Sequence, residues 1–235
     1  MNPQKDIPVL FENEDFLVLN KPSGWIVNEA GTTTNQPVVQ EWLKQNFDYP
    51  ISQSREMRSG VVHRLDKETS GILLVAKNET AFVWLQSQFK QRKVHKKYLA
   101  LAHGEITEGG AIDAPVGRLP WRRDRFGVFP GGREAETKYI IKGVYGRNSE
   151  KYTLVELEPK TGRTHQIRIH LKYLGHPIVA DAFYAGRKTA RKERAWCPRL
   201  FLHASEIAFV DPQGKEVHFV SKLPSDLEVV LKSLV

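Results

Sequence analysis

Three short stretches carry the side chains best suited to chemistry. The first, HRLDKETSGILLVAK from His63 to Lys77, sets the carboxylate of Asp66 between Arg64 and Lys67, just ahead of a Thr69-Ser70-Gly71 turn. A carboxylate on a loop fixed to a rigid scaffold is held still yet stays reachable, which suits a nucleophile or a general base. Taken alone, an aspartate beside a turn is most often a turn or salt-bridge residue. The other two stretches change that balance. KKYLALAHG, from Lys96 to Gly104, puts Tyr98 in a basic setting, and GRTHQIRIHL, from Gly162 to Leu171, carries Arg163, His165 and Arg168. An arginine can orient a carboxylate through a two-pronged pair that lysine cannot imitate, and a tyrosine ring offers a flat surface for stacking.

Other chemistries are set aside by what the chain lacks. It has no G-x-x-x-x-G-K-[ST] loop, no G-x-G-x-x-G after a strand and no G-x-S-x-G elbow. Its eight histidines form no H-E-x-x-H pattern, and Cys197 is the only cysteine, so neither a multi-cysteine zinc site nor an internal disulfide is expected. No apolar run approaches signal-peptide or membrane-span length, which reads as a soluble cytoplasmic protein. Lys plus Arg number 35 against 27 Asp plus Glu, and the net charge of +8 is clustered at Lys90 to Lys97, Arg118 to Arg125 and Gly186 to Arg194. These clusters adjoin Tyr98, Trp121 and Trp196. Cations that hold phosphates beside aromatics that stack on unpaired bases favour a nucleic-acid partner.

The elements that must position these groups follow from periodicity. Pro8 to Phe11 and Phe16 to Leu19 read as a hairpin, ended by a Lys21-Pro22-Ser23-Gly24 bend in which Lys21 is expected to face solvent. A polar loop at 31–36 precedes a helix over 37–47, and 48–60 has no assignable pattern. Ile72 to Ala76 is a buried strand, followed by a helix capped by Asn78 or Thr80 and running to about Arg92. Residues 93–102 alternate as a strand, with Tyr98 on the same side as Lys96. A long basic loop or loose hairpin covers 114–132, and strands cover 135–144 and 151–157 around a polar turn. Thr164 is the expected N-cap of a helix with Ile167, Leu171 and Leu174 on one face, Arg168 off that face and Gly175 at its end. The charged segment 185–199 reads as a flexible basic insertion. A closing hairpin over 201–220 and a helix over 225–234 complete the chain.

HRLDKETSGILLVAK, KKYLALAHG and GRTHQIRIHL together resemble, in order and spacing, the RluA-type RNA pseudouridine synthases. KPSG at Lys21, PVGR at Pro115, REAETKY at Arg133, GHPIVAD at Gly175 and LHASEIAF at Leu202 extend the resemblance over about residues 9 to 225. The resemblance implies isomerisation of uridine to pseudouridine in 23S rRNA or tRNA or both, with no cofactor and no metal. It implies that Asp66 is the catalytic aspartate, that Tyr98 stacks on or faces the target base, and that Arg168 pairs with Asp66. It further implies that Arg64 helps fill the gap when the uridine leaves its stack, and Lys21, His63, Arg118, Arg163 and His165 are the other expected RNA contacts.

The implied fold is α+β, a mixed, mostly antiparallel sheet flanked by helices and loops with a basic cleft. A single catalytic domain over 1–235 is expected, without the N-terminal S4-type module of some members, and as a monomer. One departure is Ala180, where the family commonly has Gly. The alternatives are an RNA-binding or ribosome-assembly factor that kept the fold and lost turnover, against which the intact Asp66, Tyr98 and Arg168 argue, and a metal-dependent nuclease, for which the chain has no carboxylate cluster.

Overall fold

The computed structural model describes residues 6–31, 33 and 36–235, with the side chain of Arg123 excepted. Thr32, Thr34 and Asn35 of the expected 31–36 loop therefore lie outside the described residues. In chain order the elements are β1 (Val9–Glu12), β2 (Phe16–Lys21), α1 (Val39–Asn46), a 3-10 turn (Arg58–Gly60), β3 (Ser70–Ala76), α2 (Glu79–Lys90), β4 (His95–His103) and β5 (Gly110–Asp113). They continue with β6 (Val116–Leu119), β7 (Arg122–Val128), β8 (Glu136–Arg147), β9 (Glu150–Pro159), α3 (Gln166–Tyr173), α4 (Arg187–Glu193), β10 (Leu202–Val210), β11 (Glu216–Val220) and α5 (Ser225–Lys232). The class is α+β with antiparallel pairing dominant, as expected. No helix among the described residues is long and apolar enough to cross a membrane. The chain divides into two compact units, Met1–His95 with Ala204–Ser221, and Lys96–His203 with Lys222–Val235.

In the first unit, β2 pairs antiparallel with β1 and with β3, the latter in register from Phe16 opposite Ala76 to Lys21 opposite Gly71. β3 neighbours β10, and β10 forms the closing hairpin with β11. All seven residues of β3 are buried, which explains why its sequence is a continuous apolar run and not an alternating one. Gly71 makes the close approach possible, because at its φ of +114° a Cβ would meet the carbonyl oxygen of Ala204 at 2.2 Å. Asn78, and not Thr80, caps α2, its side chain accepting the N–H of Ala81 at 2.8 Å. That helix buries Ala81, Phe82 and Leu85, and buried Gln88 satisfies both the N–H and the carbonyl of Val210 at the end of β10.

In the second unit, β9 pairs antiparallel with β4 and β8, β8 also pairs with β5, and β6 with β7 forms the basic hairpin over 114–132. β8 and β9 run further than expected, pairing up to Arg147 opposite Glu150. The turn between them is only Asn148 and Ser149, at φ of +49° and +64°, the left-handed pair that a two-residue hairpin demands. Two expectations fail here. Thr164 is not the N-cap of α3: His165 is, in the left-handed region at φ +57° and without a side-chain cap bond. Gln166 secures that end instead, its Oε1 accepting from Arg163 N–H at 3.0 Å and Thr161 Oγ at 2.7 Å, while its Nε2 donates to Glu136 O and Thr137 Oγ, both at 3.0 Å.

The second failure is the 185–199 segment, which is not a loose insertion. It contains α4, with Ala190 and Glu193 buried, followed by buried Cys197, whose thiol burial pushes up to about 12. Glu193 Oε2 accepts the N–H of Ala180 at 2.7 Å, and Oε1 lies 2.8 Å from His103 Nε2. The anchor is therefore an acid among bases, which an apolar-periodicity criterion does not register.

Candidate active site

Asp66 sits half-buried on the loop that leads into β3, between buried Leu65 and exposed Lys67. Its backbone carbonyl accepts the Thr69 N–H at 3.1 Å, closing the turn. The KPSG bend clamps this loop from beside it. Gly24 N–H donates to Lys67 O at 2.8 Å, and Ser23 Oγ donates to Glu68 O at 2.8 Å.

Lys21 completes the clamp and corrects an expectation. It is fully buried instead of solvent-facing, and its ammonium donates to the carbonyls of Pro22 at 2.9 Å, Trp25 at 3.0 Å and Lys67 at 3.3 Å. A buried ammonium needs such a cage, because leaving water without replacement partners is costly. Lys21 is thus a strut under the Asp66 loop and not a surface cation for RNA. His63 is likewise tied to the scaffold: its Nε2 accepts the Leu74 N–H at 2.9 Å, which places its ring proton on Nδ1, and its ring stacks on Phe89 with centroids 4.9 Å apart. Lys67 Nζ turns to Gln36 Oε1 at 2.8 Å, and Arg64 is exposed.

In the second unit, Tyr98 is buried on β4 opposite Leu157, on the same side as Lys96, Ala100 and Ala102. Burial lowers the Lys96 ammonium to about 8, against the opposing pull of Glu158.

Arg168 lies on α3 and is itself buried. Its Nε donates to Asp181 Oδ2 at 2.7 Å and its Nη2 to Asp181 Oδ1 at 2.9 Å. Its guanidinium carbon stands 5.1 Å from the Tyr184 ring centroid and 5.8 Å from that of Phe183. His165 Nδ1 is 2.9 Å from Tyr184 Oη, and its ring meets Phe126 and Phe183 edge-on. Exposed Arg118 lies over Phe126 at 5.1 Å, and Arg125 lies over Phe183 at 4.8 Å. Arg163 Nε donates to Glu134 O at 3.0 Å.

The structure thus gathers Lys21, His63, Arg64 and Asp66 in one unit, and Arg118, His165 and Arg168 around one aromatic cluster in the other. Asp181, Gln166, Phe183 and Tyr184 are the residues sequence reasoning passed over. The available signal was an aspartate closing GHPIVAD, one alanine ahead of the Phe183-Tyr184 aromatic pair.

The architecture is that of RNA pseudouridylate synthase domains. Human RNA Pseudouridylate Synthase Domain Containing 1 superposes with a TM-score of 0.73 at 26% identity, over 98% of this chain and 90% of its own. The sequence pattern of the RNA pseudouridylate synthase family matches residues 15–173, and the chain belongs to that family. It is 41% identical over 216 residues to a Chloroflexus aurantiacus protein described as an uncharacterized RNA pseudouridine synthase, covering 92% of this chain and 65% of that relative. It is 34% identical over 241 residues to ribosomal large subunit pseudouridine synthase D of Vibrio parahaemolyticus, covering 98% of this chain and 72% of that one. The chain therefore spans roughly two thirds of the length of the first of these relatives.

Proposed function

We propose that this protein isomerises uridine to pseudouridine in RNA, with Asp66 as the catalytic carboxylate, Arg168 as its partner and Tyr98 against the target base. One observation carries the reading: the family match over residues 15–173 includes all three positions. The reaction balances without any external group. The C1′–N1 bond breaks, a C1′–C5 bond forms, C5 loses its proton and N1 gains one. An ionised carboxylate serves both conceivable routes, attack on sugar or base and removal of a sugar proton to give a glycal. A stacked uridine must first be extruded, at a cost of a few kcal/mol. Phosphate contacts and stacking, at about 1–3 kcal/mol per base, offset that cost.

Arg64, exposed next to the Asp66 loop, is proposed to fill the vacated position in the stack. The Vibrio relative's name makes large-subunit rRNA the first substrate to assay, with tRNA beside it. In the experiment, Asp66→Asn is expected to fold, to bind RNA and to release no tritium from RNA carrying 5-tritiated uridine. Turnover by that variant refutes the assignment of Asp66. Absence of turnover by the wild-type protein on both unmodified rRNA and tRNA favours an RNA-binding factor on the same fold.

A further inference from the structure

We infer that Asp181 is a positioning residue for the reaction, acting through Arg168. The inference rests on the proposed role of Arg168. Asp181 has no exposed side-chain surface, and one carboxylate makes four bonds. Oδ2 accepts from Arg168 Nε, while Oδ1 accepts from Arg168 Nη2 and from the backbone N–H groups of Phe183 at 2.9 Å and Tyr184 at 3.1 Å.

The two parallel bonds to Arg168 fix the plane of the guanidinium and engage two of its five donors along a single edge, so that Nη1 stands on the edge away from Asp181. The two backbone bonds fold the 181–184 turn so that the rings of Phe183 and Tyr184 cover the guanidinium face. Tyr184 is fixed in turn by His165. One carboxylate thus sets both the plane and the lid of the arginine before any substrate arrives, which is the preorganisation that a charge-stabilising group needs. Stability alone does not account for the pair, since a buried ion pair is often no more stabilising than apolar residues of the same volume.

The test is a double-mutant cycle over Asp181→Asn and Arg168→Lys. Single-turnover tritium release, RNA affinity and melting temperature are measured on each variant, with rates expressed per RNA-binding-competent molecule. Asp181→Asn is expected to slow release about 10–100-fold while RNA affinity changes less than about threefold. The double variant is expected to be no slower than Arg168→Lys, because both changes remove one function. If Arg168→Lys turns over normally, the assignment of Arg168 fails. If Arg168→Lys is slow but Asp181→Asn is not, this inference alone fails. Additive losses, or a protein that folds with neither Asn nor Ser at 181, make Asp181 a structural residue and also overturn it.

Discussion

The buried ammonium of Lys21 donates to the carbonyl of Lys67, the residue after Asp66, across 3.3 Å. A lysine at the end of β2 thereby holds the loop that presents the candidate carboxylate. Its two other carbonyl partners belong to the KPSG bend and Trp25, so a single charge gathers three backbone segments.

Lys21→Met is expected to keep most of the side-chain volume while withdrawing the ammonium from the Pro22 and Trp25 carbonyls and leaving Lys67 O with the Gly24 N–H. Leaving buried acceptors unsatisfied costs about 1–3 kcal/mol each at most. Urea denaturation should register a loss of this order. Tritium release should fall further than RNA affinity, because the loop loosens while the exposed basic side chains are unchanged. Equal falls in rate and affinity would mean that Lys21 does not act through the loop.

Stability should fall as the pH drops below the ordinary histidine value of 6.5, and His170 is the reason. Burial lowers its pKa, and its ring is held between Ala114 O at 3.0 Å and Thr137 Oγ at 2.9 Å. The unfolded chain takes up a proton near 6.5 while the folded one resists until lower pH, so the unfolded state binds more protons in that window and is favoured there. Denaturation midpoints between pH 8 and 5 should decline in the wild-type protein. His170→Asn should lie lower at pH 8 and decline less steeply.

Much of the first unit was legible because its elements obey local rules. The β1–β2 hairpin has strand-like runs around a polar turn, β3 is an unbroken apolar run, and α2 starts at a capping asparagine. The resemblance carried the site residues, since no local rule distinguishes Asp66 from an ordinary turn aspartate. What escaped was set by partners distant in sequence. Lys21 looks like a surface lysine until Lys67 O is brought to it, and nothing local to Arg168 points to the pair it makes with Asp181, 13 residues later. The start of α3 misled because no side chain caps it, and Gln166, a residue inside the helix, instead ties that end to the preceding Arg163 N–H and Thr161 hydroxyl. Arg168 off the apolar face proved no guide to exposure, since α3 is buried from Gln166 through Leu171.

Ala180 occupies the left-handed region at φ +62°. An L side chain there carries a penalty of roughly 1–2 kcal/mol that glycine avoids. Part of that gain is offset by glycine's greater freedom in the unfolded chain. Ala180→Gly is therefore expected to raise stability by about 1 kcal/mol, visible as a higher melting temperature with turnover unchanged. A lower melting temperature would show that the methyl group packs favourably enough to outweigh its backbone strain.

The anchoring of α4 by Glu193 gives the last expectation. Ala180 N–H is buried and donates to Glu193 Oε2 at 2.7 Å, so truncating the acid strands a donor inside the protein. Glu193→Ala should cost about 1–3 kcal/mol, whereas Glu193→Gln, which keeps an acceptor, should cost less. The effect should also be local. Arg187, Lys188, Arg191, Lys192 and Arg194 are exposed on this segment, and losing the anchor lets α4 open without global unfolding. Limited trypsin digestion under native conditions should cut Glu193→Ala within 187–194 faster than the wild-type protein. Equal cutting rates would show that Cys197, Leu200 and the Arg199–Asp226 fork, bonded at 2.6 and 3.0 Å, hold the segment without the acid.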